Sequence, residues 1–270
     1  MALVGTEHWR RALAVTLIVV FVVALMGGLL AAVVGSGGSL AVAASPARPL
    51  HAEAAAESGT NASGSGHSTK VTVAVKAHAA QALLQSSDFP SDWTSAGAAA
   101  TSHTSPWSKS LATCAGVPSS IAAIKPTKVS GPEFTSPDKT LAAEDSISVY
   151  PTAADARAVW QHLASAKTPT CMNRIGSAAL RASVQNEAGN GATVGTVTIA
   201  ALGPGTYEAG QTGYTVTIPL VSGGRQLTII STEITFVHGR YVHQLTFNGN
   251  GVQFTPLLQV HLVRQAEART

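Results

Sequence analysis

An uncharged apolar block near the start of the chain constrains everything that follows it. Residues Ala12–Val34 contain no charged residue and no proline. As a helix, about 23 residues would extend roughly 34 Å, enough to cross a hydrocarbon core of about 30 Å. A buried helix of a soluble domain seldom runs this long without a polar face. Arg10 and Arg11 precede the block directly, and the positive-inside rule then places residues 1–11 in the cytoplasm. We expect a single-pass membrane anchor with the remaining chain outside the cell.

The alternative is a signal peptide that is removed after export. Ala41, Val42 and Ala43 match the small-residue pattern of a cleavage site. The apolar region of a signal peptide normally spans only about 7 to 15 residues, which is shorter than this block. The sequence therefore favours an uncleaved anchor. Cleavage near Ala43 would instead produce a secreted protein.

A low-complexity stretch, residues 35–70, follows the apolar block. It consists mainly of small and polar residues such as Gly, Ser and Ala. Such a segment cannot bury enough apolar surface to offset the entropy of ordering, so we expect a flexible tether. Residues 71–270 then form one extracytoplasmic domain.

The composition limits the partners of that domain. The chain is 45% hydrophobic and 11% charged, and its formal net charge is +3. No run of Lys and Arg forms a basic stripe, so nucleic acid is not an expected partner. Cys114 and Cys171 are the two cysteines, and an oxidising compartment favours a disulfide between them over two buried free thiols.

The last third of the chain carries the clearest pattern. Strands are predicted over 192–202, 213–221, 226–237 and 241–248, and glycine-containing turns between the last three indicate antiparallel hairpins. Another strand is predicted over 146–150. Helices interleave with these strands, so the expected fold class is α+β, an antiparallel β-sheet with helices packed around it.

Three helices have defined signals. Thr152 is an N-cap, with Ala156, Val159, Trp160 and Leu163 on one apolar face. Pro169 ends the next connection, and a helix begins at Cys171 with a face of small apolar residues, namely Cys171, Ile175, Ala178 and Ala182. The final helix covers 254–269, with one face formed by Leu257, Leu258, His261 and Leu262.

The order of these elements resembles one known family. Along the chain come LLQSSDFPSDW, a cysteine near the middle, EDSISVYPTAADARAVW, a second cysteine, and hairpins that end in a helix. This order resembles the PknH-like extracellular sensor domains of mycobacterial and actinobacterial membrane proteins and lipoproteins. The resemblance covers about residues 75–266. It implies helices around a cleft and a disulfide that corresponds to Cys114–Cys171. Domains of this family have more cysteines than this chain, which leaves the family's second disulfide without a counterpart here. The expected cytoplasmic segment of about 11 residues is also too short to hold a kinase domain.

Catalytic signatures are missing from the sequence. It has no G-x-S-x-G elbow, Walker loop or G-x-G-x-x-G. Ser136–Lys139 matches S-x-x-K, but Pro137 favours a turn. His238 and His243 could bind a metal across a hairpin, although strand-surface positions are the preferred interpretation. Glu144 and Asp145 should point to opposite faces of a strand, and a solvated pair is expected. We expect no catalytic residue, no metal and no cofactor.

Two function classes remain. The preferred one is a non-catalytic ligand-binding or sensor-like module of the cell envelope, with an unidentified envelope ligand or protein partner. Trp93 and Trp107 are its candidate cleft residues, whereas Trp160 fits the core. The alternative is a cell-wall hydrolase or transferase of unrecognised type, which would need convergent acid, base or nucleophile groups.

Overall fold

The computed structural model describes residues 72–270 apart from 98–99, 103–104, 189–191, 203–209 and 223. The expected cytoplasmic segment 1–11, membrane anchor Ala12–Val34 and tether 35–70 lie outside the described residues. Among the described helices, none combines the length and apolar character needed to cross a membrane.

Six α-helices, one short 3-10 helix (Ser86–Asp88) and ten strands are present in the described part of the chain. The helices are α1 (Val73–Ala82), α2 (Lys109–Ala115), α3 (Ser119–Ala122), α4 (Ala153–Leu163), α5 (Lys167–Ala188) and α6 (Pro256–Ala268). The strands are β1 (Thr94–Ala96), β2 (Ala100–Ser102), β3 (Thr127–Ser130), β4 (Glu133–Thr135), β5 (Leu141–Val149), β6 (Ala192–Val194), β7 (Thr198–Ala201), β8 (Gln211–Ser222), β9 (Arg225–His238) and β10 (Tyr241–Asn250).

All the strands join one antiparallel sheet. Its main order is β1-β4-β5-β10-β9-β8-β6, with β3 beside β5 and β7 beside β8. The two hairpins β8–β9 and β9–β10 form its centre, and β5 pairs with β10 over its whole length. The prediction of an α+β fold with an antiparallel sheet and surrounding helices is confirmed.

Helices cover both faces of the sheet, and side-chain alternation decides what each face carries. On one face, α1 packs over Val129 and Ile147, and α6 packs over Leu245 and Phe247. On the opposite face, α4 packs against Val237 and Val242 near the β9–β10 turn, while α5 covers β6, β7 and part of β8. The centre of this second face lies between the α4 and α5 contacts and is polar.

The start of α4 follows the sequence prediction. The Thr152 hydroxyl accepts a hydrogen bond from the Asp155 backbone N–H at 3.1 Å and donates to the Asp155 carboxylate at 2.8 Å. Ala156 and Val159 are fully buried, and Trp160 is half-buried against the same cluster. The predicted N-cap and apolar face of α4 are confirmed.

The other two helix predictions need correction. Helix α5 begins at Lys167, and Pro169 lies in its first turn, where its missing N–H would have no intrahelical partner. The buried positions of α5 include Leu180 and Val184, while Ala178 and Ala182 are exposed. In α6 the buried residues are Gln259, Leu262, Val263 and Ala266, and Leu257 is exposed. The predicted strand 192–202 is divided into β6 and β7.

Cys114 and Cys171 form the expected disulfide. The bridge joins α2 to α5, whose Cα atoms at these positions are 5.8 Å apart. Around it, Trp107, Leu111 and Val117 form a separate apolar cluster. The disulfide therefore attaches the Ser- and Pro-rich segment between β2 and β3 to the helix that covers β7.

Candidate functional site

A row of polar side chains crosses the middle of the sheet on the face between α4 and α5. Residues directly opposite in antiparallel strands share a face, and the register pairs Glu144 with Thr246, Thr246 with Glu233, and Glu233 with Tyr214. Extending the Phe134–Ala143 register of β4 and β5 by one residue places Glu133 opposite Glu144. The row therefore brings together three carboxyl groups and a phenol from β4, β5, β9 and β8.

More polar side chains flank this row on the same face. We call the whole set the polar floor; it consists of Lys128, Glu133, Glu144, Tyr214, Glu233, Gln244, Thr246 and Asn248. Asn248 is 1% exposed, and Thr246 and Glu233 are also buried. The other members are half-buried. The floor thus has a buried middle and partly solvent-accessible edges.

Glu233 is the best-satisfied carboxyl group of the polar floor. Tyr214 donates its hydroxyl hydrogen to Glu233 Oε2 at 2.5 Å, and the Gln244 side chain also hydrogen-bonds to Glu233. Burial raises the pKa of Glu233, and these two hydrogen bonds and the Lys128 charge oppose that rise. Burial and the neighbouring Glu233 raise the pKa of Tyr214, which stays a hydrogen-bond donor at neutral pH.

The close approach of two strands supports this arrangement. A Cβ atom added at Gly213 would lie 2.0 Å from the Glu233 carbonyl oxygen, a distance that no side chain tolerates. The glycine lets β8 lie tightly against β9 next to the Tyr214–Glu233 pair.

Glu133 and Glu144 form a second carboxyl pair, and their side chains hydrogen-bond to each other. Such a bond requires a proton on one of them. Burial, and then the charge of Glu133, raises the pKa of Glu144 to about 7. Burial also raises the pKa of Glu133. The pair therefore shares a proton near neutral pH, as expected for two carboxyl groups at one site.

Lys128 is the cation of the polar floor. It lies opposite Ser148 in the β3–β5 register, on the same face as the carboxyl groups. Burial lowers the pKa of its ammonium group, while Glu233 and then Glu144 oppose that effect. Lys128 thus compensates part of the negative charge at Glu233.

Unfilled hydrogen-bonding capacity lies on the β4–β5–β10 side of the floor. Neither the amide oxygen nor the amide nitrogen of Asn248 has a hydrogen-bond partner, and Glu133 Oε2 has none either. Both cross-strand neighbours of Asn248, Ala142 and Ser231, have small side chains. Buried polar groups are nearly always paired, so these atoms have hydrogen-bonding capacity that the described side chains do not fill.

The polar floor does not offer a ready metal site. Within the described residues, no group of three or more His, Cys, Asp or Glu side chains could hold a metal ion. Glu133 and Glu144 are bonded to each other, and Glu233 is engaged by Tyr214 and Gln244. The chemistry available to the floor is hydrogen bonding, charge pairing and exchange of the shared proton.

The structure separates the two predicted cleft tryptophans. Trp107 is 5% exposed and packs within the apolar cluster around the disulfide, and its role as a ligand contact stays a prediction. Trp93 is half-buried on the face opposite the polar floor, where its ring centroid lies 5.1 Å from that of Phe89 and 5.9 Å from that of Phe254. A ligand contact by Trp93 stays a prediction, and it would lie apart from the floor.

The predictions for the histidine and carboxylate side chains are confirmed in part and wrong in part. His243 is fully buried and stacked on Phe236, whereas His238 is exposed, so the expectation of surface positions is correct only for His238. Glu144 and Asp145 do point to opposite faces. The expectation that they are solvated is wrong, because Asp145 is 2% exposed and Glu144 is half-buried.

Two further features lie apart from the polar floor, and the first confirms the predicted turn. Ser136–Lys139 forms the turn between β4 and β5, where Ser136 Oγ donates to the Asp138 carboxylate at 2.6 Å. Asp145 lies on the face of the sheet opposite the polar floor, where it accepts a hydrogen bond from the Leu84 backbone N–H at 3.1 Å. Neither contributes to the polar floor.

Known proteins resemble this chain at the level of structure. No protein-family model matches the chain, and no curated protein matches it. Among solved structures, it is similar to the crystal structure of the extracellular domain of PknH from Mycobacterium tuberculosis, with a TM-score of 0.40 and 15% identity. The match covers 76% of this chain and 98% of that chain. At this level of similarity, the function and the site must be argued from the residues of the chain itself.

Proposed function

We propose that this chain is a non-catalytic ligand-binding, sensor-like module of the cell envelope, with the polar floor as its ligand surface. The observation that carries the proposal is the unfilled hydrogen-bonding capacity of Asn248 and Glu133 within a half-open polar surface. Helices cover the rest of the sheet. Burying hydrogen-bonding groups without partners on the uncovered part lowers the stability of the fold. Binding a polar ligand would offset that cost.

The sequence supplies the location. The block Ala12–Val34 behind Arg10 and Arg11 anchors the chain, and residues 35–70 connect the anchor to the domain. The disulfide between Cys114 and Cys171 fits an oxidising compartment. The ligand would therefore be a molecule or protein of the cell envelope, and nucleic acid is not an expected partner because no basic stripe is present in the sequence.

A hydrolase or transferase is the second candidate, and one observation favours it. Glu144 keeps its proton near neutral pH, as a general acid does. Its proton partner is Glu133, however, and the two groups are in direct hydrogen-bond contact. Paired carboxyl groups that cleave a glycosidic bond lie about 5 to 9.5 Å apart, with the bond between them. The contact at the floor leaves no such space, so we prefer binding to turnover.

The proposal is tested with the full-length chain in detergent and soluble cell-wall fragments. Binding and cleavage are measured together, by calorimetry and by mass spectrometry of the fragments. Thr212→Trp places a bulky group on the floor face of β8, and Thr217→Trp is the matched control on the opposite face of the same strand. Both positions are half-buried, so the two variants are checked for equal melting temperatures.

We expect the fragments to bind without being cleaved, and we expect Thr212→Trp alone to block binding. Cleavage that Glu144→Gln abolishes would establish the hydrolase alternative. Equal loss of binding in both tryptophan variants with unchanged melting temperatures would remove the polar floor as the ligand surface.

A further inference from the structure

The carboxyl groups of the polar floor differ in how many hydrogen-bond partners they already have. Glu233 has Tyr214, Gln244 and the charge of Lys128 as partners. Glu133 and Glu144 hydrogen-bond to each other. Glu133 Oε1 also accepts a hydrogen bond from Thr135 Oγ1 at 3.4 Å, and Glu133 Oε2 is buried without a partner. The unmet need at this end of the floor is for hydrogen-bond donors and positive charge.

Asn248 adds a second, independent requirement. Its side chain is 1% exposed, and both amide atoms lack partners. By register it lies diagonally from Glu144 across β5 and from Glu233 across β9. An amide with a free NH2 and a free oxygen pairs with a neutral group that both accepts and donates, such as a hydroxyl.

The charge balance selects between ligand classes. Three carboxyl groups face one another across the floor, and Lys128 is their cation. An anionic ligand would be repelled by Glu133 and Glu144, and Lys128, the cation near Glu144, also interacts with Glu233. A ligand ammonium group has three donors and no acceptor, so it could replace the proton that this pair shares.

We propose that the polar floor recognises a ligand that carries an ammonium group next to hydroxyl groups, with the ammonium on Glu133 and Glu144 and a hydroxyl on Asn248. The inference rests on the proposed ligand-binding function and specifies its ligand class. On binding, the ammonium forms charge-assisted hydrogen bonds with the two carboxylates, and the proton held between them is released to solvent.

The pH dependence has a defined direction. The titratable groups that face the Glu133–Glu144 pair are Lys128 from β3, Tyr214 from β8 and Glu233 from β9. Burial lowers the pKa of Lys128 and raises the pKa values of Tyr214 and Glu233. Because the pKa of Glu144 is about 7, affinity for a cation should rise between about pH 6 and pH 8 as the shared proton is lost.

The test uses two probes that differ in one group. Glucamine carries an ammonium beside a chain of hydroxyls, and sorbitol has a hydroxyl in place of that ammonium. Titration calorimetry of the full-length chain in detergent, in two buffers of different ionisation enthalpy, measures affinity and proton release. We expect millimolar binding of glucamine, proton release near neutral pH, and at least about tenfold weaker binding of sorbitol.

Matched variants assign the effect to residues. Glu144→Gln and Asn248→Leu should each weaken glucamine binding about tenfold or more, and Glu144→Gln should remove the pH dependence. Asp92→Asn changes the charge equally at an exposed position and should have no effect. Melting temperatures show whether each variant is folded, and the comparison of the two probes on the unmodified chain needs no variant.

The possible results distinguish a failure of the ammonium assignment from a failure of the proposed ligand-binding function. Equal binding of sorbitol and glucamine, or no glucamine binding, overturns the ammonium assignment. If cell-wall fragments still bind in a Thr212-dependent manner, the ligand-binding function stands with a ligand of another class. If those fragments do not bind either, both proposals fail.

Discussion

Asp145 is a buried carboxyl group on the face of the sheet opposite the polar floor. One oxygen accepts the Leu84 N–H, the other has no partner, and the side chain is 2% exposed. Burial raises its pKa to about 7 from an ordinary value of 3.8. The folded state therefore holds a proton that the unfolded state has lost, and Asp145 makes the free energy of unfolding fall as pH rises from about 4 to about 7.

This predicts the behaviour of Asp145→Asn. The amide oxygen can still accept the Leu84 N–H, and the variant carries no group that titrates there. Relative to the unmodified chain, the variant should gain stability as pH rises from about 5 to about 8, by up to about 2 to 3 kcal/mol. The measurement is chemical denaturation at several pH values.

A control isolates the effect of Asp145. Burial lowers the pKa of His243 to about 3, so His243 supplies stability that is lost as pH falls below that of an unfolded histidine, about 6.5. His243 is present in both proteins, so its contribution cancels in their difference. A difference in stability that does not change with pH would contradict the account of Asp145.

Trp93 lies in an aromatic cluster, which predicts a contribution to the stability of the domain. It is half-buried and stacked on Phe89 within the aromatic cluster that includes Phe254. Trp93→Ala should therefore destabilise the domain by about 2 kcal/mol and lower its melting temperature by several degrees, and Trp93→Phe should lose less. An unchanged melting temperature with weakened ligand binding would instead return Trp93 to the role of a ligand contact.

At the scale of elements, the disulfide connects α2 to α5 across 57 residues of sequence. In the chain-entropy model a loop of this length contributes about 4 kcal/mol of stability. Cys171→Ser should lower the melting temperature markedly, and Cys114→Ser should do so equally, because each removes the same bridge. Two free thiols in the natively exported protein, found by mass spectrometry, would contradict the bridge.

Local patterns in the sequence predicted the strands and the α4 helix well. Alternation and glycine turns located β8, β9 and β10, and the Thr152 signal located α4. The buried faces of α5 and α6 were predicted incorrectly, since several rows of small or apolar residues compete on these helices and tertiary packing selects among them. For α5, packing selected Leu180 and Val184, which rest on β7 and β8.

The polar floor could not be predicted from spacing along the chain. Glu133, Glu144 and Glu233 lie on three strands, and only the register of the sheet places them in one row. The available signal was polar residues at alternate positions of strongly predicted strands, such as Glu233 in β9 and Gln244 and Thr246 in β10. Alternation indicates a polar face, but not which polar residues meet across it.

At the scale of the whole molecule, the account requires the domain to lie outside the cell. Residues Ala12–Val34 follow two arginines, so the domain should be exported and retained at the membrane. A C-terminal phosphatase fusion should be active, and a fluorescent-protein fusion that matures only in the cytoplasm should be dark. The reverse pair of results would contradict this topology, and a mature protein in the medium that begins near Ala44 would show cleavage.

The proposed ligand surface is the polar face between α4 and α5. The most direct measurement is a crystal structure of the domain soaked with soluble cell-wall fragments. The account predicts density on the polar floor, within hydrogen-bond distance of Glu133, Glu144 and Asn248. Density confined to another surface, such as the aromatic cluster around Trp93, with the floor unchanged, would contradict it.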